Sequence, residues 1–164
     1  MQQNLQKKRG LVKKVFDNVY NKYDLMNDFM SLGVHRQWKR ELIRQMNPYP
    51  ESTLIDVACG TGDIAKLFAD NTSNKSKILC VDFNKKMLDE GKKRLSNYKN
   101  INWKVSRAEK IDVPNETFDY YTISFGLRNT KNLNSTISEA YRVLKKGGRS
   151  VSYTHLRAHE TKKH

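Results

Sequence analysis

The sequence is poor in cysteine and has no long apolar run. Its 164 residues include two cysteines, Cys59 and Cys80, too few for the disulfide framework of a small secreted domain. No apolar stretch approaches the roughly 18 residues that a membrane span needs. Residues 1–10 carry charge with no apolar stretch behind them, so we expect no secretory signal and a reducing compartment.

Acidic residues are scarce beside basic ones. The chain has 17 Asp and Glu against 31 Lys and Arg, a formal net charge of +14. Such an excess is compatible with an anionic membrane surface or with nucleic acid. The basic pairs are scattered, however, and no RNA-recognition, zinc-finger or helix-turn-helix signature accompanies them. We therefore favour an ordinary solvated surface, then a membrane surface, and expect no specific nucleic-acid partner.

The apolar pattern alternates between the helical and the strand type. The length suits one domain with a core of its own, and a content of 10% aromatic residues is too high for a disordered chain. Strands alternating with helices predict an α/β fold with a doubly wound, mainly parallel sheet. The predicted helices cover Leu11–Met30, Val34–Met46, Asp63–Asp70, Met87–Leu95 and Leu133–Leu144, and the predicted strands cover Thr53–Ala58, Lys77–Val81, Ile101–Val105 and Thr117–Ser124.

A glycine-rich turn follows the first predicted strand. Gly60 and Gly62 fit the pattern G-x-G-x-x-A, which dinucleotide-binding folds share. Asp63, at the start of the following helix, would oppose a pyrophosphate there. Asp56 is placed to meet an ammonium group, and Asp82, at the end of the next strand, to hold both ribose hydroxyls. These acids favour S-adenosylmethionine as the ligand, whereas the alternative is that Asp56 and Asp63 only cap the helix.

Three longer segments resemble a known family. They are Tyr-Asp-Leu-Met-Asn-Asp-Phe-Met-Ser at 23–31 with His35 and Trp38, then 122–129, then 141–149. Together they are similar to the ubiquinone/menaquinone biosynthesis C-methyltransferases. The resemblance implies a Rossmann-like class I methyltransferase fold. It also implies methyl transfer from S-adenosylmethionine to a ring carbon of a polyprenyl hydroquinone.

The resemblance and the glycine turn together give a set of candidate cofactor-binding residues. Asp56, Gly60 and Gly62 come from the turn itself. The resemblance adds Thr61, Ala108 and Ser124. It also implies Asp82, which the position at the end of the next strand had already suggested. No metal site is predicted, because the histidines near the C-terminus match a metal cluster only superficially.

Catalysis on a hydroquinone ring needs a group that stabilises a phenolate. Arg128 is the candidate, since it follows the fourth strand at the edge where ligands bind in such sheets. The alternative is a surface arginine. Asn129 is placed to orient the ring or a water, and His35 to take a proton near neutral pH, although a lone histidine in a helix is more often structural. Tyr23, Asp24, Met26 and Asn27 form either a lid or a helix-packing motif.

The domain organisation follows from the same resemblance. We expect a methyltransferase domain over 1–149, with an N-terminal helical lid over 1–48 and a Rossmann-like core over 53–149. Residues 150–164 do not look native, and 151–161 resemble a translated sequencing adapter, whereas the alternative is an unusual native tail. We therefore expect a truncated chain whose fifth strand is broken, whose closing antiparallel hairpin is absent, and whose fourth strand leaves an unpaired edge.

Three functions remain open from the sequence. The first is the quinol C-methyltransferase, cytoplasmic and peripheral to the inner membrane because its substrate has a polyprenyl tail. The second is a methyltransferase that acts on another small molecule or on RNA. The third is an inactive, truncated nucleotide-binding module. A quinone-biosynthesis complex or a homo-oligomer is a further possibility for the first.

Overall fold

Helices and strands alternate along the chain in the computed structural model, which describes residues 34–124, 126–154 and 157–163. Residues 39–164 form one compact unit. The predicted helix over 11–30 lies outside the described residues. The elements are α1 (Val34–Met46), β1 (Thr53–Val57), α2 (Asp63–Asn71), β2 (Lys77–Asp82), α3 (Lys85–Arg94), β3 (Ile101–Val105), β4 (Phe118–Ser124), a 3-10 turn (Leu127–Asn129), α4 (Leu133–Val143), β5 (Leu144–Thr154) and β6 (Arg157–Lys162).

The strands form one six-stranded sheet in the order β3-β2-β1-β4-β5-β6. The first five strands of this order run parallel, and β6 runs antiparallel to β5. The chain moves outward from β1 to β3, then returns to the other side of β1 as β4. The predicted doubly wound, mainly parallel sheet is confirmed. Its strand order reverses between β1 and β4, where such sheets open a crevice at their carboxyl edge.

The central strands are apolar runs because the sheet is covered on both faces. Residues 54–57 of β1 are all buried, and 118 and 120–123 of β4 are buried as well. Helix α3 begins two residues earlier than predicted, because the Asn84 side chain caps it by accepting hydrogen bonds from the backbone N–H groups of Lys86 and Met87. This cap fixes the turn that follows β2 at the carboxyl edge.

The glycine pair after α4, Gly147 and Gly148, does not end that helix. Leu144 is already extended and pairs with Phe118 of β4. Gly147, with φ +79°, lies inside β5, where the pairing register shifts between Phe118 and Tyr120. A left-handed glycine accommodates such an irregularity in a strand, and the glycine pair therefore belongs to the sheet.

The expectation of a broken fifth strand is wrong. Residues 150–153 of β5 pair with 121–124 of β4, and β6 adds an antiparallel partner over 157–162. Ladder hydrogen bonds use the backbone groups of any residue except proline, so this pairing does not require apolar alternation. Val151 is buried within it. The edge of β4 that was expected to be unpaired is covered by β5, and β6 lies antiparallel on the outer side of β5.

No helix in the described part of the chain is long and apolar enough to cross a bilayer. This finding concerns residues 34–124, 126–154 and 157–163, and it agrees with the lack of long apolar runs in the sequence.

Candidate functional site

Asp56 lies at the carboxyl end of β1, at the point where the strand order reverses. Its side chain is 1% exposed, and Oδ1 accepts a hydrogen bond of 2.7 Å from the Thr122 hydroxyl on β4. No described residue donates to Oδ2. Burial raises the pKa of Asp56 to about 7, and the charges of Asp82 and Asp63 push it in the same direction. The structure thus holds a buried carboxyl oxygen without a donor beneath the glycine turn.

Lowering the pH from 8 to 5 is expected to stabilise the cofactor-free protein through Asp56. The pKa of about 7 in the folded chain lies above the ordinary value of 3.8. Between these values the folded protein keeps a proton that the unfolded chain has released, so the free energy of unfolding falls as the pH rises towards 7. Between pH 5 and pH 8 this change corresponds to about 3 kcal/mol, since about two pH units of the shift lie in that range.

Urea unfolding at pH 5, 6, 7 and 8 measures this effect in the wild type and in Asp56→Asn. In Asp56→Asn the free energy of unfolding should change less with pH than in the wild type. Carboxylates whose pKa lies below the ordinary value, such as Asp119, are ionised throughout this pH range. They therefore do not contribute to the change in the free energy of unfolding. An equally steep dependence in Asp56→Asn would show that another group is responsible.

The glycine turn places backbone without side chains at the carboxyl edge of the sheet, next to Asp56. Gly60 and Gly62 have φ values of +57° and +85°, a region that other residues rarely adopt. A Cβ on Gly62 would lie 2.6 Å from the Trp103 ring. The turn therefore requires glycine for its conformation and for its packing, as the sequence pattern predicts.

Asp82 ties the end of β2 to this turn. Its Oδ2 accepts a hydrogen bond of 2.9 Å from the Gly60 N–H, and its Oδ1 accepts one of 2.8 Å from the Asn84 N–H. Burial raises the pKa of Asp82, although these backbone donors partly oppose the effect. Each carboxylate oxygen accepts more than one hydrogen bond, so both remain able to bind a ligand hydroxyl. The structure places Asp82 at the end of β2, as predicted, and in contact with the turn.

Asp63 does not present the bare negative charge that the argument against a pyrophosphate required. Its carboxylate lies 2.6 Å from the Lys39 ammonium and also pairs with the Arg94 guanidinium. Burial raises the pKa of Asp63, but these two cations outweigh it and hold the value below the ordinary one. Asp63 therefore gives no reason to exclude a dinucleotide.

The other predicted cofactor residues lie on the loops and strand ends around this edge. Ser124 ends β4, and its buried hydroxyl has no hydrogen-bond partner among the described residues. Ala108 follows β3 and packs against the main apolar cluster. Thr61, within the glycine turn, directs its backbone carbonyl to Arg94 at 2.8 Å.

The loop after β4 approaches the end of β1. A Cβ on Gly126 would lie 2.2 Å from the Cβ of Ala58, so the two loops are in close contact. The 3-10 turn that follows contains Arg128 and Asn129. Asn129 is exposed, and the side chain of Arg128 lies outside the described part. The same holds for the side chain of His35 in α1, and for the whole of the predicted lid residues Tyr23, Asp24, Met26 and Asn27.

Sequence reasoning missed two apolar side chains and one hydroxyl at this edge. Phe83, directly after Asp82, is 67% exposed, and Val105, which pairs with Asp82 at the end of β3, is also exposed. Thr122 supplies the hydrogen bond to Asp56. Each had a signal in the sequence. Phe83 is an apolar residue directly after a strand-end carboxylate, Val105 is the last residue of the neighbouring strand, and Thr122 carries a hydroxyl two positions before Ser124.

Comparison with known proteins gives relatives of both the sequence and the fold. The chain is 48% identical over 152 residues to the ubiquinone/menaquinone biosynthesis C-methyltransferase UbiE of Rickettsia massiliae, covering 88% of this chain and 60% of that protein. The Rickettsia akari protein of the same name is 45% identical over 151 residues, with the same coverage. The chain thus spans about 60% of the length of these curated relatives.

A solved structure agrees at the level of the fold. The SAM-dependent methyltransferase of Aquifex aeolicus superposes with a TM-score of 0.65 at 17% identity, over 73% of this chain and 67% of that one. The sequence profile of the ubiE/COQ5 methyltransferase family matches residues 1–160. With this match over nearly its whole length, the chain belongs to the ubiE/COQ5 methyltransferase family.

Proposed function

We propose that the chain binds S-adenosylmethionine at the carboxyl edge of β1, β2 and β4 and methylates a ring carbon of a polyprenyl hydroquinone. The observation that carries this proposal is the pair of buried carboxylates, Asp56 and Asp82, on either side of a left-handed glycine turn. One of them keeps an oxygen to which no described residue donates.

The residues at this edge fit the chemistry of that cofactor. S-adenosylmethionine is a cation with an ammonium group and two ribose hydroxyls, and it supplies a methyl group bound to a positively charged sulfur. Asp56 offers a negative charge for the ammonium, and Asp82 offers two acceptor oxygens for the hydroxyls. Phe83 provides an exposed ring face for an adenine. Gly60, Thr61, Gly62, Ala108 and Ser124 complete the proposed cofactor-binding set.

The loop after β4 is the proposed place of the hydroquinone ring. A ring carbon becomes nucleophilic when a ring hydroxyl loses its proton, and a cation near that oxygen stabilises the phenolate. We assign this role to Arg128, the orientation of the ring to Asn129, and the acceptance of the proton to His35. As the ring carbon gains the methyl group, the hydrogen that it carried leaves as a proton and the ring regains its aromaticity.

The N-terminal region and the membrane complete the proposal. Residues 1–48, with Tyr23, Asp24, Met26 and Asn27, would close over the ligands and exclude water. A polyprenyl tail partitions into lipid, so we propose that the enzyme is cytoplasmic and works in peripheral contact with the inner membrane. The net charge of +14 favours contact with anionic lipids.

Two measurements test this function. Isothermal titration of S-adenosylmethionine into the chain should give a saturable binding curve. Transfer of a labelled methyl group should occur to a short-chain prenyl benzoquinol or naphthoquinol and not to RNA. Transfer to RNA alone would favour the second function, and a folded chain that binds no cofactor would rule out the methyltransferase assignment.

Replacing Arg128 with alanine is expected to separate binding from turnover. Loss of one donor to a developing oxyanion costs about 100-fold in kcat, while the dissociation constant of the cofactor should change less than about twofold, since Arg128 is not part of the proposed cofactor set. Lys131→Ala, which removes an exposed cation three residues further on, is the matched control and should retain turnover. Unchanged turnover in Arg128→Ala would remove the phenolate role.

A further inference from the structure

Arg94 joins the two sides of Gly62 through a single guanidinium group. It is the last residue of α3. Its NH2 nitrogen donates a hydrogen bond of 2.8 Å to the Thr61 carbonyl, on the N-terminal side of the glycine. The same nitrogen binds the carboxylate of Asp63, on the C-terminal side. The turn and the first residue of α2 are thus held by one planar side chain.

The packing around this contact shows that the helix and the turn need to be close. A Cβ on Gly91, one turn earlier in α3, would lie 2.9 Å from the Thr61 carbonyl oxygen and 2.5 Å from the Trp103 ring. Glycine at 91 therefore allows the backbone of α3 to approach the turn. Arg94 then supplies polar contacts across this approach.

Asp63 has a second cation besides Arg94. Lys39 binds the second carboxylate oxygen at 2.6 Å, and this pair is more shielded from solvent than the one with Arg94, whose side chain is 42% exposed. The NH2 nitrogen of Arg94 carries two hydrogens, one for each of its two acceptors, and the planar guanidinium fixes their directions. Each contact restricts a turn whose central residue has a φ of +85°.

We propose that Arg94 is a positioning residue for the cofactor, acting through the glycine turn. This inference rests on the function proposed above, because it assumes that the backbone of the turn contacts S-adenosylmethionine. Arg94 and Lys39 hold Thr61 and Asp63 in the bound conformation before the cofactor arrives. The cost of ordering the turn is then met during folding and not during binding.

Titration of S-adenosylmethionine into three variants tests this role. Arg94→Ala should raise the dissociation constant about 10-fold, the equivalent of one hydrogen bond to a charged group. Arg94→Lys should show an intermediate loss, because the shorter lysine side chain keeps a positive charge near Asp63 but does not reach both acceptors. Lys93→Ala removes a neighbouring cation that pairs with Glu90 and is the matched control, with an unchanged dissociation constant.

Two further readouts separate positioning from a merely structural role. Added ethylguanidinium should restore the affinity of Arg94→Ala, and it should leave the wild type and Lys93→Ala unchanged. In the methyl-transfer assay, KM for the cofactor should rise while kcat at saturating cofactor stays the same.

Equal affinities in wild type, Arg94→Ala and Arg94→Lys would overturn the proposal. If Arg94→Ala does not fold, the lysine variant decides, because a wild-type affinity there contradicts the need for two contacts. Absence of binding by the folded wild type would overturn the proposed function and this inference together. A selective loss in the Arg94 variants therefore supports both.

Discussion

Asp82→Ala is expected to abolish measurable binding of S-adenosylmethionine, with the dissociation constant raised about 100-fold or more. A hydrogen bond to a charged group contributes about 1.5–3 kcal/mol, and the proposal gives Asp82 two of them to the ribose. The same substitution removes the acceptor of the Gly60 and Asn84 N–H groups. The turn would therefore lose its anchor to β2 as well as its ligand contact.

Two variants separate these effects. Asp82→Asn keeps one acceptor oxygen, so it should retain more of the fold than alanine but still bind the cofactor weakly. Asp89→Ala removes an exposed carboxylate of α3 that pairs with Lys85, and it should bind like the wild type. Calorimetry with circular dichroism on each sample provides the measurement. Wild-type affinity in Asp82→Ala would show that the ligand does not lie at the end of β2.

Gly62→Ala is expected to lower the free energy of unfolding by about 3 kcal/mol. An alanine in the left-handed region costs about 1 kcal/mol. The added Cβ would lie 2.6 Å from the Trp103 ring, and relieving such a contact in a packed core costs about 1–3 kcal/mol. Urea unfolding followed by circular dichroism measures the sum.

Gly147→Ala is the matched control for this prediction. Gly147 also has a left-handed backbone, with φ +79°, but a Cβ there meets nothing within 4 Å. Its substitution should therefore show only the backbone cost of about 1 kcal/mol. Equal losses in the two variants would mean that Trp103 moves aside freely and that packing does not restrict the turn.

The edge that carries the candidate site could be predicted because parallel strands end together. An apolar run followed by Asp56 and the glycines, and a second run ending in Asp82, were enough to bring both carboxylates to one place. Both strand ends can be recognised from a few neighbouring residues, so no knowledge of distant contacts is needed. The hydrogen bond from the Gly60 N–H to Asp82 could not be predicted, because it depends on the orientation of the side chain at the strand end.

Contacts between distant side chains could not be predicted in this way. Asp63 and its two cations come from three different helices, and nothing local marks Lys39 or Arg94 among 31 basic residues. The pairing of residues 150–153 with β4 was missed for another reason. Backbone hydrogen bonding depends weakly on side-chain pattern, whereas apolar alternation was the signal used to recognise strands.

The position of β4 beside β1 sets the order in which the site can form during synthesis. Thr53 and Asp119 are 66 residues apart in sequence, as are Asp56 and Thr122, yet both pairs are hydrogen-bonded. At about 5–20 residues per second, β1 leaves the ribosome about 3–13 s before β4. The turn and its acidic residues are therefore synthesised well before the strand that completes their surroundings. Cofactor can bind at this edge only after β4 has been synthesised and has paired with β1.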